Sequence, residues 1–157
     1  MKRSMRKADL IVIALSSPLL IGVYENNILT QTFSSDERSS EFLPSLFAKL
    51  LEKYDINSIT YANGPGSFMA IKVTYLFLQT LHVTHDIEIF AALGFAFNKQ
   101  TPIKAMGKLY FHLEDGAIVM KPLTDETRLE AMKLPKMYEK ENYLTENAPN
   151  YILPAVN

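Results

Sequence analysis

The residues that could do chemistry in this sequence are few, and its histidines are the first candidates. His82 and His85 stand three apart near the end of a predicted helix, with Asp86 directly after them, so the three side chains could share a metal ion. The other histidine is His112, and no further carboxylate completes a zinc set at suitable spacing. We therefore expect no metal site, with His82 and His85 facing solvent and the carbonyl end of the helix dipole.

A second candidate is the glycine-rich stretch Asn63-Gly64-Pro65-Gly66-Ser67, which connects a short strand to a helix. Amide groups in such a turn can hold a phosphate at the positive end of a helix dipole. No Lys-Ser or Lys-Thr follows at P-loop spacing, and Phe68-Met69-Ala70 breaks the Gly-x-Ser-x-Gly pattern of a serine nucleophile. The pattern favours a structural turn over a phosphate site, with a serine cap on the helix. The turn consists of Gly64, Pro65, Gly66 and Ser67.

The elements that position these residues follow from the apolar pattern. Short β-type runs at Leu10 to Leu15, Leu19 to Tyr24 and Ile28 to Phe33 predict a three-stranded meander. Apolar residues at helical spacing then predict a helix of about four turns at Glu41 to Lys53. A brief strand is predicted at Ser58 to Ala62, directly before the glycine-rich turn.

The helix that begins near Ser67 and runs to about Leu81 is apolar around most of its circumference. One face of a sheet cannot bury all of it, so its second side needs a cover. Either a partner chain provides that cover, which we favour, or the later segment Ala91 to Phe97 does. With a strand at Glu88 to Phe90, the element order β-β-β-α-β-α-β indicates a mixed sheet with helices packed on it.

The remainder of the chain is less periodic. Lys108 to Leu113 and Ala117 to Lys121 predict a hairpin across Glu114-Asp115-Gly116, and Asp125 to Lys133 predict a short helix. The stretch from Tyr143 to Asn157 predicts an extended tail. The residues through which this tail is expected to dock are Tyr151, Ile152 and Leu153.

Size and composition limit the classes of function. The 157 residues, 48% of them apolar, suffice for one domain or two small lobes. With sixteen basic and seventeen acidic residues, the chain as a whole lacks the excess of positive charge that binding to nucleic acid requires. The absence of cysteine excludes disulfides and thiolate metal sites. Because no signal-peptide cleavage site follows the basic start and no apolar run reaches the about 20 residues of a membrane span, we expect a cytoplasmic protein without membrane contact.

The segment Tyr61 to Phe68 resembles the signature of the TsaB (YeaZ) family, in which a Gly-Pro-Gly-Ser-Phe-Thr-Gly loop leads from a strand into a helix. Five consecutive residues, Gly64 to Phe68, match that loop. Further segments agree in order along nearly the whole chain. They are Glu41-Phe42-Leu43-Pro44, Met106-Gly107-Lys108-Leu109-Tyr110 and Pro149-Asn150-Tyr151-Ile152-Leu153.

The resemblance implies an α/β fold of the actin-like ATPase (ASKHA, RNase H-like) type, with an N-terminal lobe at 1–90 and a reduced C-terminal lobe with an extended tail at 91–157. The chain departs from the family pattern at Met69-Ala70, where the family has Thr-Gly, and at Lys72, near the family's arginine. Ala14 stands where the family has an aspartate in the first strand. An actin-like ATPase needs an acid there to organise metal and water, so Ala14 argues against nucleotide hydrolysis.

The function implied by the resemblance is that of a non-catalytic scaffold. It would bind TsaD, the enzyme that transfers threonylcarbamoyl to tRNA adenosine next to the anticodon, and TsaE would join the larger assembly. A homodimer is expected in isolation, contact with tRNA is expected only through the complex, and no cofactor is expected. The alternative from another class is a small actin-like nucleotide-binding phosphotransferase or ATPase.

The resemblance also implies where the partner binds, since the family associates through the helices of its first lobe. The corresponding surface would be formed by the exposed faces of the helices at Glu41 to Lys53 and Phe68 to Leu81, which the all-round apolar pattern nominates independently. The candidate partner-binding residues are Glu41, Leu43, Leu46, Leu50, Phe68, Ile71, Lys72, Tyr75 and Leu78.

Overall fold

A five-stranded mixed sheet dominates the computed structural model of the chain, which describes residues 5–150. Its strands lie in the order β3-β2-β1-β4-β5. The first three are antiparallel neighbours, whereas β4 and β5 join parallel to β1, so the predicted meander and mixed sheet are confirmed. The strands are β1 (Arg6–Ile13), β2 (Leu19–Glu25), β3 (Ile28–Ser35), β4 (Tyr54–Ala62) and β5 (Glu88–Ala92).

Strand β1 lies at the centre of this sheet, and both of its faces are buried. Leu10 and Val12 belong to the core cluster on the helix side, while Ile11 and Ile13 belong to the cluster on the opposite side. Successive side chains of a strand point to opposite faces. The sequence of a strand that is buried on both faces is therefore a continuous apolar run.

Two helices, α1 (Ser39–Lys53) and α2 (Phe68–His85), pack side by side on one face of the sheet. The rings of Phe47 and Phe77 join them edge-on, with 5.4 Å between ring centroids. Strands β3 and β4, which precede the two helices, run in the same direction, so both helices begin at the same end of the sheet. Residues 5–150 include no helix with the length and apolar character of a membrane span.

A smaller antiparallel sheet of three strands follows, in the order β6-β7-β8. Strands β7 and β8 form the predicted hairpin, and the two residues between them, Asp115 and Gly116, have φ angles of 49° and 81°. Positive φ at both central residues is typical of the hairpin turn whose twist matches that of the strands. The strands are β6 (Ile103–Lys104), β7 (Leu109–Glu114) and β8 (Ala117–Pro122).

The segment 134–150, called here the strap, crosses the sheet face opposite the helices. At one side of the sheet, the amide of Tyr138 donates to the carbonyl of Asn27 at 2.8 Å. At the other side, Leu144 and Ala91 of β5 exchange two backbone hydrogen bonds, at 2.7 and 2.9 Å. The strap then ends against the glycine-rich turn, where the amide of Asn150 donates to the carbonyl of Asn63 at 2.7 Å.

The predicted helix at Asp125 to Lys133 is wrong, because this stretch is irregular. Its amides bond elsewhere: that of Glu130 donates to the hydroxyl of Thr101 at 3.0 Å, and that of Lys133 to the carbonyl of Phe97 at 2.8 Å. The docking residues Tyr151, Ile152 and Leu153 lie outside the described residues. The division into lobes at 1–90 and 91–157 stays a prediction.

Candidate functional site

Five of the nine candidate partner-binding residues lie in the core and not on an exposed helix face, which corrects their placement. Their side chains are at most 8% exposed. They pack against the strands because apolar residues at helical spacing form the face that a helix turns toward its sheet. These residues are Leu43, Leu46, Leu50, Ile71 and Leu78.

The other four candidates reach the surface to different degrees. Glu41 and Lys72 are exposed, and Phe68 is partly so. Tyr75 is half-buried, with its ring centroid 6.1 Å from that of Tyr61 in β4. Whether these residues bind a partner stays a prediction.

Three of the exposed apolar residues of α2 were missed as individual candidates. Met69 is 65% exposed, Leu76 53% and Val83 81%. With half-buried Val73 and exposed Thr80 they follow a spacing of four, three, four and three residues, which places them on one side of the helix. We call these five residues the outer stripe. The sequence shows that the helix has more apolar residues than one face of a sheet can bury. Periodicity alone cannot tell which of these residues form the outer stripe and which face the sheet.

The segment Ala91 to Phe97 leaves the outer stripe uncovered. Phe95 and Phe97 are buried in the cluster on the opposite face of the sheet, where they pack with Ile71 from the first turn of α2. They therefore cover only the beginning of the helix.

The glycine-rich turn is held by its neighbours on three sides. The amide of Ser67 donates to the carbonyl of Leu15 at 3.0 Å, and the carbonyl of Gly64 accepts from the amide of Gly94 at 2.9 Å. The side-chain amide of Asn63 donates to the carbonyl of Ala148 in the strap at 3.0 Å. These contacts join the ends of β1, β4 and β5 to the strap, which is the geometry of a structural turn.

Ser67 is the N-cap residue of α2, as its position predicts, and its hydroxyl accepts a hydrogen bond from the amide of Ala70 at 3.4 Å. The cap satisfies one of the amides that the first turn of a helix leaves without an intrahelical acceptor. The side chain of Ser67 thus has a structural partner.

The histidines at the end of α2 bond to nearby residues. The ring of His82 lies 2.8 Å from the carbonyl of Ile87, and the ring of His85 lies 2.7 Å from the hydroxyl of Thr84. His112 lies in β7, where its ring bonds to the carbonyl of Lys121 at 3.1 Å. In the described part of the chain, no three metal-binding side chains form a group.

A group of buried hydroxyls lies beneath the strap. The hydroxyl of Tyr138 bonds to those of Ser58 and Thr60 at 2.8 and 2.7 Å, and Ser58 also donates to the carboxylate of Asp9 at 2.7 Å. Burial is the main cause that raises the pKa of Tyr138 to about 12. The phenol therefore stays protonated at neutral pH and holds the strap to β4.

Two more tyrosines complete this group. Tyr24 donates to the carbonyl of Pro135 at 2.6 Å, and Tyr143 packs edge-on against Tyr138 with 5.1 Å between ring centroids. Burial raises the pKa of both hydroxyls, and for Tyr24 the neighbouring tyrosines add to that effect. The group is structural, because its hydroxyls form hydrogen bonds with the strap and the sheet.

Comparison with known proteins gives a structural likeness without a sequence match. No family model and no curated protein matches the sequence. The chain superposes on YeaZ from Pseudomonas aeruginosa with a TM-score of 0.58 and 13% identity. The chain has the YeaZ fold. This is an actin-like α/β fold, as the resemblance implied.

A second solved structure gives the same result. An uncharacterized protein with similarity to the peptidase YeaZ from Pseudomonas aeruginosa matches with a TM-score of 0.58 and 14% identity. Each match covers 80% of this chain and 64% of the solved one, so the chain spans less than two thirds of the YeaZ length. At these identities the likeness establishes the fold alone.

Proposed function

We propose that the chain is a non-catalytic scaffold subunit that binds TsaD in the complex forming threonylcarbamoyladenosine on tRNA. The YeaZ fold and the Gly64 to Phe68 match to the TsaB signature support this assignment. Ala14, buried directly after β1, supports the absence of catalysis because no carboxylate stands there for a metal ion.

The observation that carries the proposal is the outer stripe of α2. Met69, Leu76 and Val83 are each more than half exposed, although large apolar side chains on a monomer surface are usually scattered singly. The hydroxyl of Thr80 donates to the carbonyl of Leu76 at 3.0 Å within the helix, so this polar member can be covered at low cost.

The spacing of the stripe specifies the shape of its partner. Alternating steps of four and three residues are those of the a and d positions that pack against a second helix in a coiled coil. We infer that an apolar helix of TsaD packs along the stripe. In the absence of TsaD, two copies of α2 would pack in the same way as a symmetric homodimer.

The wider assembly follows from the same proposal. TsaE joins the complex of this chain with TsaD, and tRNA is held by the complex as a whole. The near balance of sixteen basic and seventeen acidic residues supports a shared RNA contact, since binding by phosphate neutralisation needs a surplus of positive charge.

The first test mixes the purified protein with TsaD of the same organism and measures the mass of the complex by size-exclusion chromatography with light scattering. Leu76→Glu places a charge in the centre of the stripe, and we expect it to weaken the complex about 30-fold or more. Ile28→Glu is the matched control, because Ile28 is 56% exposed and lies in β3 at the sheet edge.

The possible results of this test distinguish the proposed interface, the scaffold function and the nucleotide-binding alternative. A complex that persists with Leu76→Glu contradicts the stripe as the interface, whereas a complex that never forms, even with TsaE and nucleotide added, contradicts the scaffold itself. ATP hydrolysis by the chain alone would favour the nucleotide-binding alternative. Phe77→Glu would not serve this test, because the ring of Phe77 packs against Phe47 and the substitution would remove a contact between the two helices.

A further inference from the structure

A cavity of about 430 Å³ lies where the first turns of α1 and α2 meet. Both helices begin at the same end of the sheet, so the positive ends of their dipoles converge there. Arg38, which directly precedes α1, is the one charged residue among the described residues that line the cavity. The residues lining it are Arg38, Ser39, Ser40, Ser67, Met69, Ala70 and Val73.

The hydroxyl of Ser39 is an independent sign of a ligand. Ser39 is only 9% exposed and lines the cavity, yet within residues 5–150 its hydroxyl has no hydrogen-bond partner. The hydroxyl oxygen itself is not fully buried, so it can donate a hydrogen bond to a group that enters the cavity. Helix α1 also lacks a side-chain cap at Arg38, so no capping side chain bonds to its first amides.

The charge of the cavity wall favours an anion. The acidic residues near the start of α1 do not line it: Asp36 accepts a hydrogen bond from Ser17 at 3.2 Å, and Glu37 and Glu41 are exposed. The hydroxyl of Ser67 accepts from Ala70, so its own hydrogen remains available to donate. Positive charge and donors thus face a common space.

We propose that this cavity, the N-terminal cleft, binds a phosphoryl group attached to an apolar or aromatic body. The donors comprise a guanidinium fork, three serine hydroxyls and two helix ends, which suit the three terminal oxygens of a phosphomonoester better than the two of a carboxylate. Met69, Ala70 and Val73 form the apolar wall for the organic part. The cleft lies beside the glycine-rich turn, whose Ser67 amide is already bonded to Leu15.

The test titrates inorganic phosphate, phenyl phosphate and benzoate, at one pH and constant ionic strength, into the full chain. Amide resonances are followed by NMR, and we expect saturable shifts at Ser39, Ser40 and Met69 with phosphate and larger affinity for phenyl phosphate. Arg38→Gln should weaken phenyl phosphate about tenfold or more, because hydrogen bonds between charged groups are the strong ones.

A matched variant on α1 keeps the test specific. Lys49→Gln removes the same charge as Arg38→Gln from an exposed site, and this control should leave the affinity unchanged. Benzoate binding as tightly as phenyl phosphate overturns the phosphoryl assignment. Absence of saturable shifts at these amides, or unchanged affinity in folded Arg38→Gln, overturns the site. Met69 and Val73 also belong to the outer stripe, so a helix packed there would compete with the ligand for the apolar wall. The titration is therefore repeated without TsaD on Leu76→Glu, whose substituted residue does not line the cleft, so failure of the proposed TsaD interface does not affect this result.

Discussion

The hydroxyl oxygen of Tyr138 lies 2.7 Å from that of Thr60, with both residues buried and 78 positions apart in the chain. This bond joins the strap to the middle of β4. Phe at position 138 keeps the ring but leaves the buried hydroxyl of Thr60 without that partner, so we expect Tyr138→Phe to lower the free energy of unfolding by about 1–2 kcal/mol. Urea denaturation measures the change. Tyr110→Phe, at a half-buried position of β7, is the control, and an equal loss in both variants contradicts the assigned role.

Alkaline pH should loosen the strap. Burial raises the pKa of Tyr138 from 10.0 to about 12, so the folded state holds this proton more tightly than the unfolded state does. The resulting stabilisation is complete below pH 10 and is lost as the pH rises through 12. Absorbance of tyrosinate at 295 nm should show a late component, to which Tyr24 also contributes, and Tyr138→Phe should reduce it by one tyrosine. If the variant and the natural chain titrate identically, this assignment fails.

Gly64 should tolerate no side chain. Its φ angle is +135°, which residues other than glycine rarely adopt, and an added Cβ would collide with the carbonyl oxygen of Asn150. We expect Gly64→Ala to cost about 3 kcal/mol, the upper end of the range for backbone strain. Gly107→Ala is the control, because Gly107 also has positive φ but open space around it, and should cost about 1–2 kcal/mol. Equal costs by urea denaturation would rule out a role for the Asn150 contact.

Asn147 should hold the strap to the edge of the sheet. Its side chain donates to the carbonyl of Ile89 in β5 at 2.9 Å and accepts from Gln79 of α2 at 3.3 Å. Asn147→Ala removes both bonds, and we expect a loss of about 1–2 kcal/mol together with faster hydrogen exchange at the amide of Ala91, which bonds to the strap. Asn142→Ala, an exposed site, is the comparison, and unchanged exchange at Ala91 in Asn147→Ala contradicts this prediction.

The sequence indicated the sheet and its helices because each has a local period. The continuous run at Leu10 to Leu15 and the helical spacing in Glu41 to Lys53 report burial that depends mainly on neighbours close in the chain. The strap has no such period. Leu134 and Tyr138 are isolated apolar residues whose burial depends on strands more than 70 positions away, and no local pattern records that pairing.

The candidate site was indicated at the level of elements but not of side chains. Periodicity shows that α2 has more apolar surface than one sheet can cover, yet it cannot tell which side faces the sheet. Leu78 and Ile71 therefore stood among the surface candidates although they are buried, and Met69 and Leu76 were absent from them. The packing of α2 on the sheet determines which of its apolar residues are buried and which are exposed.

The position of the strap in the chain also bears on how the protein matures. All five strands of the large sheet precede it, and a ribosome adds about 5–20 residues per second, so the sheet emerges seconds before the segment that covers its second face. During that interval the side chains beneath the future strap, including Ile11, Ile13 and Tyr24, are open to water and to other chains. Closure then links residues as far apart as Tyr24 and Pro135, a separation of 111 positions, and such high contact order slows folding. We therefore expect the nascent chain to need protection by chaperones until the strap has been made.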